Sequence, residues 1–275
     1  MSGSRATRPG AGGLPYHEAS YWQNRFTTDP REASGFEWLS SSTSLISLLP
    51  QSLLLSSSPA RILHIGVGTS RLSLELIQYY RQNAPENWKE RAKQVVNVDF
   101  SEKSIGFQRH AEAVWLKQVG EDAGEETLMV YHVLDLLDYA EVDRELGGKG
   151  RKFDVVLDKS TSDSISTGED IPLESIHKGK HHSSLMELTQ GKKERRVATT
   201  KILGVNLASI VEKGGVWLCH SYSSDRWEDV IPGSNHVTEE EVWPWTETSK
   251  IPVPVKSSDP NAPQINHWIY TLHRT

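Results

Sequence analysis

The chain has 275 residues, with 30 basic and 36 acidic side chains and a formal charge of -6; this length suits one large α/β unit or two smaller domains, with a core that needs no staples. A single cysteine, Cys219, excludes an intrachain disulfide, and no Asn-x-Ser/Thr sequon occurs, so the expected compartment is cytoplasmic. The greasiest stretch, Leu45 to Leu55, is broken by Ser47, Pro50, Gln51 and Ser52 and is no membrane span, and the acidic balance speaks against a general nucleic-acid binder.

Residues 1–15 read as a disordered leader: Arg5 and Arg8 hint at a presequence, but the glycines and Pro9 spoil an amphipathic helix. Residues 16–275 read as a single domain, in which 16–58 form an aromatic-rich helical cover. Short apolar runs then alternate with longer amphipathic ones. Strands are expected at Ala60–Ile65, Val95–Phe100, Thr127–Leu134, Phe153–Asp158, Val216–Ser221 and His267–His273. Helices are expected at Ser70–Gln82, Ser104–Val119 and Val197–Glu212, the last stopped by Gly214-Gly215. Trp243-Pro-Trp245 and Ile251-Pro-Val-Pro254 suggest a hairpin against the core. The alternation implies an α/β, doubly wound, mostly parallel seven-stranded Rossmann-like sheet with an antiparallel terminal strand.

Ile62-Leu-His-Ile-Gly-Val-Gly-Thr-Ser70 runs from a strand through a glycine turn into a helix. Gly66 and Gly68 allow a sharp bend and close approach to a ligand. Arg71 stands where a dinucleotide fingerprint needs its third glycine, and Asp99 comes about thirty residues after the turn rather than the ~20 of that motif. Gly147-Gly148-Lys149-Gly150 lacks Walker A spacing. A nucleoside without a pyrophosphate fits better, with Asp99 placed for the ribose hydroxyls and Asp135 for an adenine amino group. All would converge at the carboxyl edge of the sheet.

These residues, with Val96-Asn-Val-Asp-Phe-Ser101 and Phe153-Asp-Val-Val-Leu-Asp-Lys-Ser-Thr-Ser-Asp163, resemble the class I S-adenosylmethionine-dependent methyltransferases. More narrowly, the chain is similar to eukaryotic methyltransferase-like proteins that include lysine methyltransferases of translation elongation factor 1-alpha. Their leader motif is matched by Tyr21, Trp22, Arg25, Phe26, Phe36, Glu37 and Trp38, and Trp268-Ile-Tyr270 resembles their ending. The family's Gly-Cys-Gly is Gly66-Val67-Gly68 here. Its Asp-Lys-Gly-Thr-Leu-Asp-Ala is Asp158 to Ser164, with serine at three altered positions.

The resemblance implies S-adenosylmethionine as cofactor, with S-adenosylhomocysteine as product. It implies cofactor contacts from Trp22, Arg25, Gly66, Gly68, Ser70, Asp99, Phe100, Ser101, Asp135, Leu136 and Asp158. It also implies a protein lysine as acceptor, on a partner such as a translation factor. A small-molecule acceptor and a non-catalytic cofactor-binding scaffold are the alternatives. Methyl transfer is an in-line displacement that depends on alignment and exclusion of water. Asp158, Lys159 and Asp163 are the catalytic candidates, and Trp38, Thr161, His220 and Tyr222 the substrate candidates. No Asn/Asp-Pro-Pro-aromatic tetrapeptide follows the fourth strand, which weakens the case for adenine or glutamine amide as acceptor.

Residues 168–199 form an insertion longer than the family suggests, carrying His177, Lys178, Lys180, His181, His182, Lys192, Lys193, Arg195 and Arg196. It reads as a solvated loop, or as a lid or docking strip for an acidic surface. As a metal site it is poor, because Gly179 breaks the His177/His181 spacing and no cysteine supports it. Cys219 reads as packing rather than nucleophile. Of the nine tryptophans, Trp22 and Trp38 belong to the leader motif and the rest to packing.

Overall fold

A computed structural model describes residues 14–54, 56–121, 127–147, 151–187, 196–231, 243–255, 259, 261 and 263–275. The N-terminal cover contains α1 (Ala19–Thr28), a 3-10 turn (Glu32–Ser34), α2 (Thr43–Ile46) and α3 (Gln51–Leu54). There follow β1 (Ile62–Ile65), α4 (Leu72–Asn83), α5 (Trp88–Ala92), β2 (Val95–Asp99), α6 (Glu102–Gln118), β3 (Val130–Val133), α7 (Tyr139–Val142) and β4 (Phe153–Lys159). Next come α8 (Thr161–Ile165), β5 (Ile171–Pro172), α9 (Ser183–Glu187), β6 (Arg196–Val197), α10 (Thr199–Ile210), β7 (Val211–Ser221), β8 (Trp245–Pro254) and β9 (Asn266–Arg274).

Seven strands form one sheet in the order β3-β2-β1-β4-β7-β9-β8. The pairs β1–β2, β1–β4, β2–β3 and β4–β7 are parallel, whereas β9 runs antiparallel to β7 and to β8. This is the expected Rossmann-like sheet. The seventh strand is β8, which lies at an edge, where Pro252 and Pro254 interrupt no central ladder.

Both faces of the sheet are covered, so its strands are apolar on both sides. Ile62, Val95, Val155, Leu157 and Leu218 point towards Leu72, Leu76 and Tyr80 of α4 and Leu45 and Leu49 of the cover. Their neighbours Leu63, Val96, Val156, Trp217 and Cys219 point the other way, towards Leu203 and Leu207 of α10. Cys219 is packing, as its sequence context suggests. Beside α10, Trp217 lies 4.7 Å from Trp227 and 5.2 Å from Trp245, edge to face, extending that core.

Two expectations need correction. Gly214-Gly215 does not stop a helix, because α10 ends at Ile210 and Val211 already pairs with Phe153. The register slips between Phe153/Val211 and Val155/Val216, so the glycines serve a bulge in β7. A Cβ on Gly215 would stand 2.6 Å from Val211 Cγ1 and 2.8 Å from the Glu212 carbonyl oxygen. The described part of the insertion is not a solvated loop either. Leu173, Ile176, Leu185 and Val197 pack with Ile202 and Val205 into a small satellite core. Lys192, Lys193 and Arg195, and residues 1–13 of the expected leader, lie outside the described residues. Among the described residues no helix is long and apolar enough to cross a membrane.

Candidate functional site

A cavity of about 590 Å³ opens along the carboxyl edge of the sheet. One side is formed by the loops after β1, β2 and β3, the other by those after β4 and β7 and the start of β9. Its roof is the cover: Tyr16, Trp22, Phe26 and Trp38.

The glycine turn sets the floor. Gly66 and Gly68 have φ of +56° and +49°, left-handed values that favour glycine. The turn is held by Gln108 Nε2, which donates to the carbonyl oxygens of Gly68 at 3.0 Å and Ser70 at 2.8 Å. At the end of β2, Asp99 accepts from Gly68 N–H and from Ser101 N–H, each at 2.9 Å. Burial pushes its carboxyl up to about 6, against those hydrogen bonds. The acid thus braces the turn while facing the cavity.

The two glycines differ in purpose. A Cβ on Gly66 would overlap the Thr161 side chain, whose Oγ1 donates to the Ile65 carbonyl at 2.9 Å. A Cβ on Gly68 would lie 3.5 Å from Phe26, in ordinary contact. Gly66→Ala is therefore expected to destabilise the fold by about 3 kcal/mol, combining backbone strain with overpacking. Gly68→Ala is expected to cost only the backbone strain, about 1–2 kcal/mol. Urea unfolding of the two variants checks the difference.

The leader motif clamps the turn from above. The Arg25 guanidinium donates to Glu32 Oε1 at 2.7 Å and lies 4.9 Å from the centre of the Trp38 ring. Buried Glu32 accepts in turn from the Thr69 hydroxyl, and Phe36 N–H donates to that hydroxyl at 3.1 Å. Glu37 accepts from Arg71 N–H at 2.5 Å, at the start of α4, and pairs with the ammonium of Lys159. Burial pulls the Lys159 ammonium down to about 7.

Thirteen of the predicted site residues line the cavity: Trp22, Trp38, Gly66, Gly68, Ser70, Asp99, Phe100, Asp135, Leu136, Lys159, Thr161, Asp163 and Tyr222. Four do not. Arg25 lies within the clamp just described. Ser101 is buried as the N-cap of α6, accepting from Ser104 N–H. Asp158 is buried beneath the wall, with Oδ1 accepting from Thr161 N–H at 2.9 Å and Ser162 N–H at 3.3 Å. Burial pushes its carboxyl up to about 6. His220 is fully buried, with no hydrogen-bond partner for either ring nitrogen among the described residues.

The altered serines have distinct places. Ser160 takes φ +69°, a left-handed value that costs a side-chain-bearing residue about 1–2 kcal/mol. Its hydroxyl donates to Asp163 at 3.2 Å. Ser162 contacts Cys219 Sγ at 3.1 Å, and the Ser164 hydroxyl donates to the Tyr16 carbonyl oxygen in the roof. Asp163 is neutralised by Arg226 at 2.7 Å and also accepts from Tyr222 N–H at 3.0 Å. Sequence reasoning missed Arg226, His17 and His267, which share no motif with the residues they meet. Among the described residues there is no cluster of side chains suited to a metal.

The residues fit an adenosine-based sulfonium. The turn presents backbone without side chains, Asp99 offers acceptor oxygens beside it, and Phe100 and Leu136 provide apolar walls. The aromatic roof suits a cation.

No family model matches the chain. The methyltransferase srdJ of Neurospora crassa is 32% identical over 169 residues, which cover 61% of this chain and 61% of that protein. The match thus spans about three-fifths of the curated relative's length. Among solved structures, the N-methyltransferase NodS of Bradyrhizobium japonicum with S-adenosyl-L-homocysteine is similar, with a TM-score of 0.48 and 13% identity over 95% of this chain and 99% of that one. Magnesium protoporphyrin IX methyltransferase of Synechocystis with bound S-adenosylmethionine gives a TM-score of 0.46 at 13% identity, over 93% and 96% of the two chains.

Proposed function

We propose that the chain is an S-adenosylmethionine-dependent methyltransferase acting on a small molecule enclosed in the cavity. The observation that carries the first half is Asp99, fixed by Gly68 N–H and Ser101 N–H at the junction of the glycine turn and the cavity. Its position suits a ribose, and the srdJ relative supports the same chemistry. When bound, S-adenosylmethionine supplies an electrophilic methyl group. The chain's own residues bind the nucleoside at the β1–β3 half, hold the acceptor at the β4–β7–β9 half and exclude water beneath the aromatic roof.

The roof supports a small acceptor. Tyr16 is tied to Trp22 Nε1 at 2.6 Å and to Ser164, and His17 lies 3.4 Å from the Thr167 hydroxyl. On the acceptor side Asp163 is already neutralised by Arg226. Among the described residues that line this half, a lysine ammonium would find no uncommitted carboxylate. The resemblance of the leader and Asp-Lys motifs favours a second reading, a protein lysine as acceptor.

Calorimetry with S-adenosylmethionine and S-adenosylhomocysteine tests the shared premise, and binding of both is the expected result. Failure of both to bind removes the proposal. Transfer of labelled methyl in a lysate then separates the acceptors. Label is expected in the small-molecule fraction, and a labelled protein band in its place supports the lysine reading.

A further inference from the structure

The acceptor half of the cavity is electrically balanced. Lys159 is paired with Glu37, and Asp163 with Arg226. Among the described residues lining this half, neither a cationic nor an anionic acceptor meets an unmatched charge, so the chemistry favours a neutral molecule. Trp38, Ile165 and Tyr222 give this half apolar and aromatic walls.

His267 is placed to act on such a molecule. It stands at the start of β9, and because β9 runs antiparallel to β7, that start lies at the carboxyl edge, one pair beyond Ser221–Trp268. Its side chain lines the cavity and makes no hydrogen bond or ion pair among the described residues. The other imidazole on the wall, His17, faces the Thr167 hydroxyl. Behind His267 lies His220, edge to face at 5.9 Å, buried and without a hydrogen-bond partner. A buried imidazole of that kind resists protonation, so a proton arriving at this pair resides on His267.

We infer that His267 is the general base of the transfer and that the acceptor is a small aromatic molecule bearing a phenolic hydroxyl, methylated on oxygen. The inference rests on the methyltransferase reading above. The hydroxyl proton passes to a ring nitrogen of His267 as the acceptor oxygen bonds to the methyl carbon. The carbon–sulfur bond breaks with its electron pair going to sulfur, the neutral thioether and the aryl ether form, and the imidazolium releases its proton to solvent. Burial lowers the pKa of His267, keeping it neutral and able to accept a proton at pH 7, while the Asp163 carboxylate supports the imidazolium once formed. His220, held neutral by burial, by the Lys159 ammonium and by the His267 imidazolium once it forms, does not compete.

The test uses the full chain, S-adenosylmethionine, and two matched probes, 2-naphthol and 2-naphthylamine. Methylation of the naphthol and not of the amine is expected. His267→Gln should lower kcat by about 10²- to 10⁴-fold while leaving S-adenosylhomocysteine affinity essentially unchanged. Its rate should climb with pH and approach wild type near pH ~10, where a phenol ionises unaided. A readout independent of turnover is 4-nitrophenol added to the complex with S-adenosylhomocysteine at pH 6.5 (~6.5, the ordinary histidine value). The wild type should shift the bound probe to its yellow phenolate and the variant should not. If the glutamine variant loses S-adenosylhomocysteine binding, His267→Asn replaces it in the same measurements. Wild-type rate and an unchanged pH profile in the variant overturn the role of His267. Label on the amine, or none on the naphthol while S-adenosylhomocysteine binds, overturns the acceptor class. Absence of S-adenosylhomocysteine binding to the wild type overturns the methyltransferase reading beneath both.

Discussion

Asp99→Ala is expected to weaken S-adenosylhomocysteine binding by about a hundredfold or more, measured by calorimetry. Hydrogen bonds to a charged acceptor are worth about 1.5–3 kcal/mol each, and a ribose offers two hydroxyls. The alanine also removes the acceptor for Gly68 N–H and Ser101 N–H, loosening the turn that would hold the nucleoside. Asp99→Asn separates charge from shape. Burial raises the Asp99 carboxyl from 3.8 to about 6, so the folded chain binds the extra proton between those values. The stability this provides is present below about pH 4 and lost as the pH rises through 6, leaving a cost of about 3 kcal/mol at pH 7 in the unliganded chain. Asparagine relieves that cost while spoiling one backbone hydrogen bond. Its melting temperature at pH 7 should therefore stay close to wild type although its affinity falls at least tenfold. Wild-type affinity should drop as the pH falls below about 6, where the ionised acceptor is lost, and the asparagine variant should lack that drop. An asparagine variant with wild-type affinity removes Asp99 from the ribose site.

The sheet was legible because its central strands are buried on both faces and read as unbroken apolar runs, with Gly66, Gly68 and Asp99 marking its carboxyl edge. β8 was harder to read, since two prolines let its sequence suggest a hairpin but not the edge strand that completes the sheet. The α10–β7 junction misled because a glycine pair has the same appearance after a helix as inside a bulge, and only the slipped pairing opposite Phe153 distinguishes them. The site was legible where one motif supplies both backbone and side chain. His267 and Arg226 escaped because their positions depend on β9 returning beside β7 and on the turn beyond β7 folding back to Asp163. Glu37 and Lys159 were each visible in a motif, yet they are 122 residues apart and nothing local marks them as partners.

That pair supplies the other large effect. The Lys159 side chain is 2% exposed and the Glu37 side chain 25%, and Glu37 also accepts from Arg71 N–H and the Ser42 hydroxyl. Glu37→Gln leaves a buried ammonium without its counterion and is expected to cost about 3–5 kcal/mol at pH 7 in urea unfolding. Lys159→Met leaves a carboxylate with hydrogen-bond donors and some water, so a smaller loss of about 1–2 kcal/mol is expected. The double variant should be more stable than Glu37→Gln alone, because the orphaned charge is gone. The pH dependence follows from burial, which draws Lys159 from 10.5 to about 7. The folded chain therefore sheds the proton near pH 7 while the unfolded chain holds it to about pH 10. The unfolded state then binds more protons across this window, and stability rises with pH. Removing the carboxylate lowers the Lys159 pKa further, so Glu37→Gln should show a steeper profile than the wild type, with a penalty larger at pH 7 and below than near pH ~10. A penalty equal at both pH values would mean that Lys159 is solvated in the variant and that the clamp between the cover and β4 rests on the Glu37 hydrogen bonds to α4 instead.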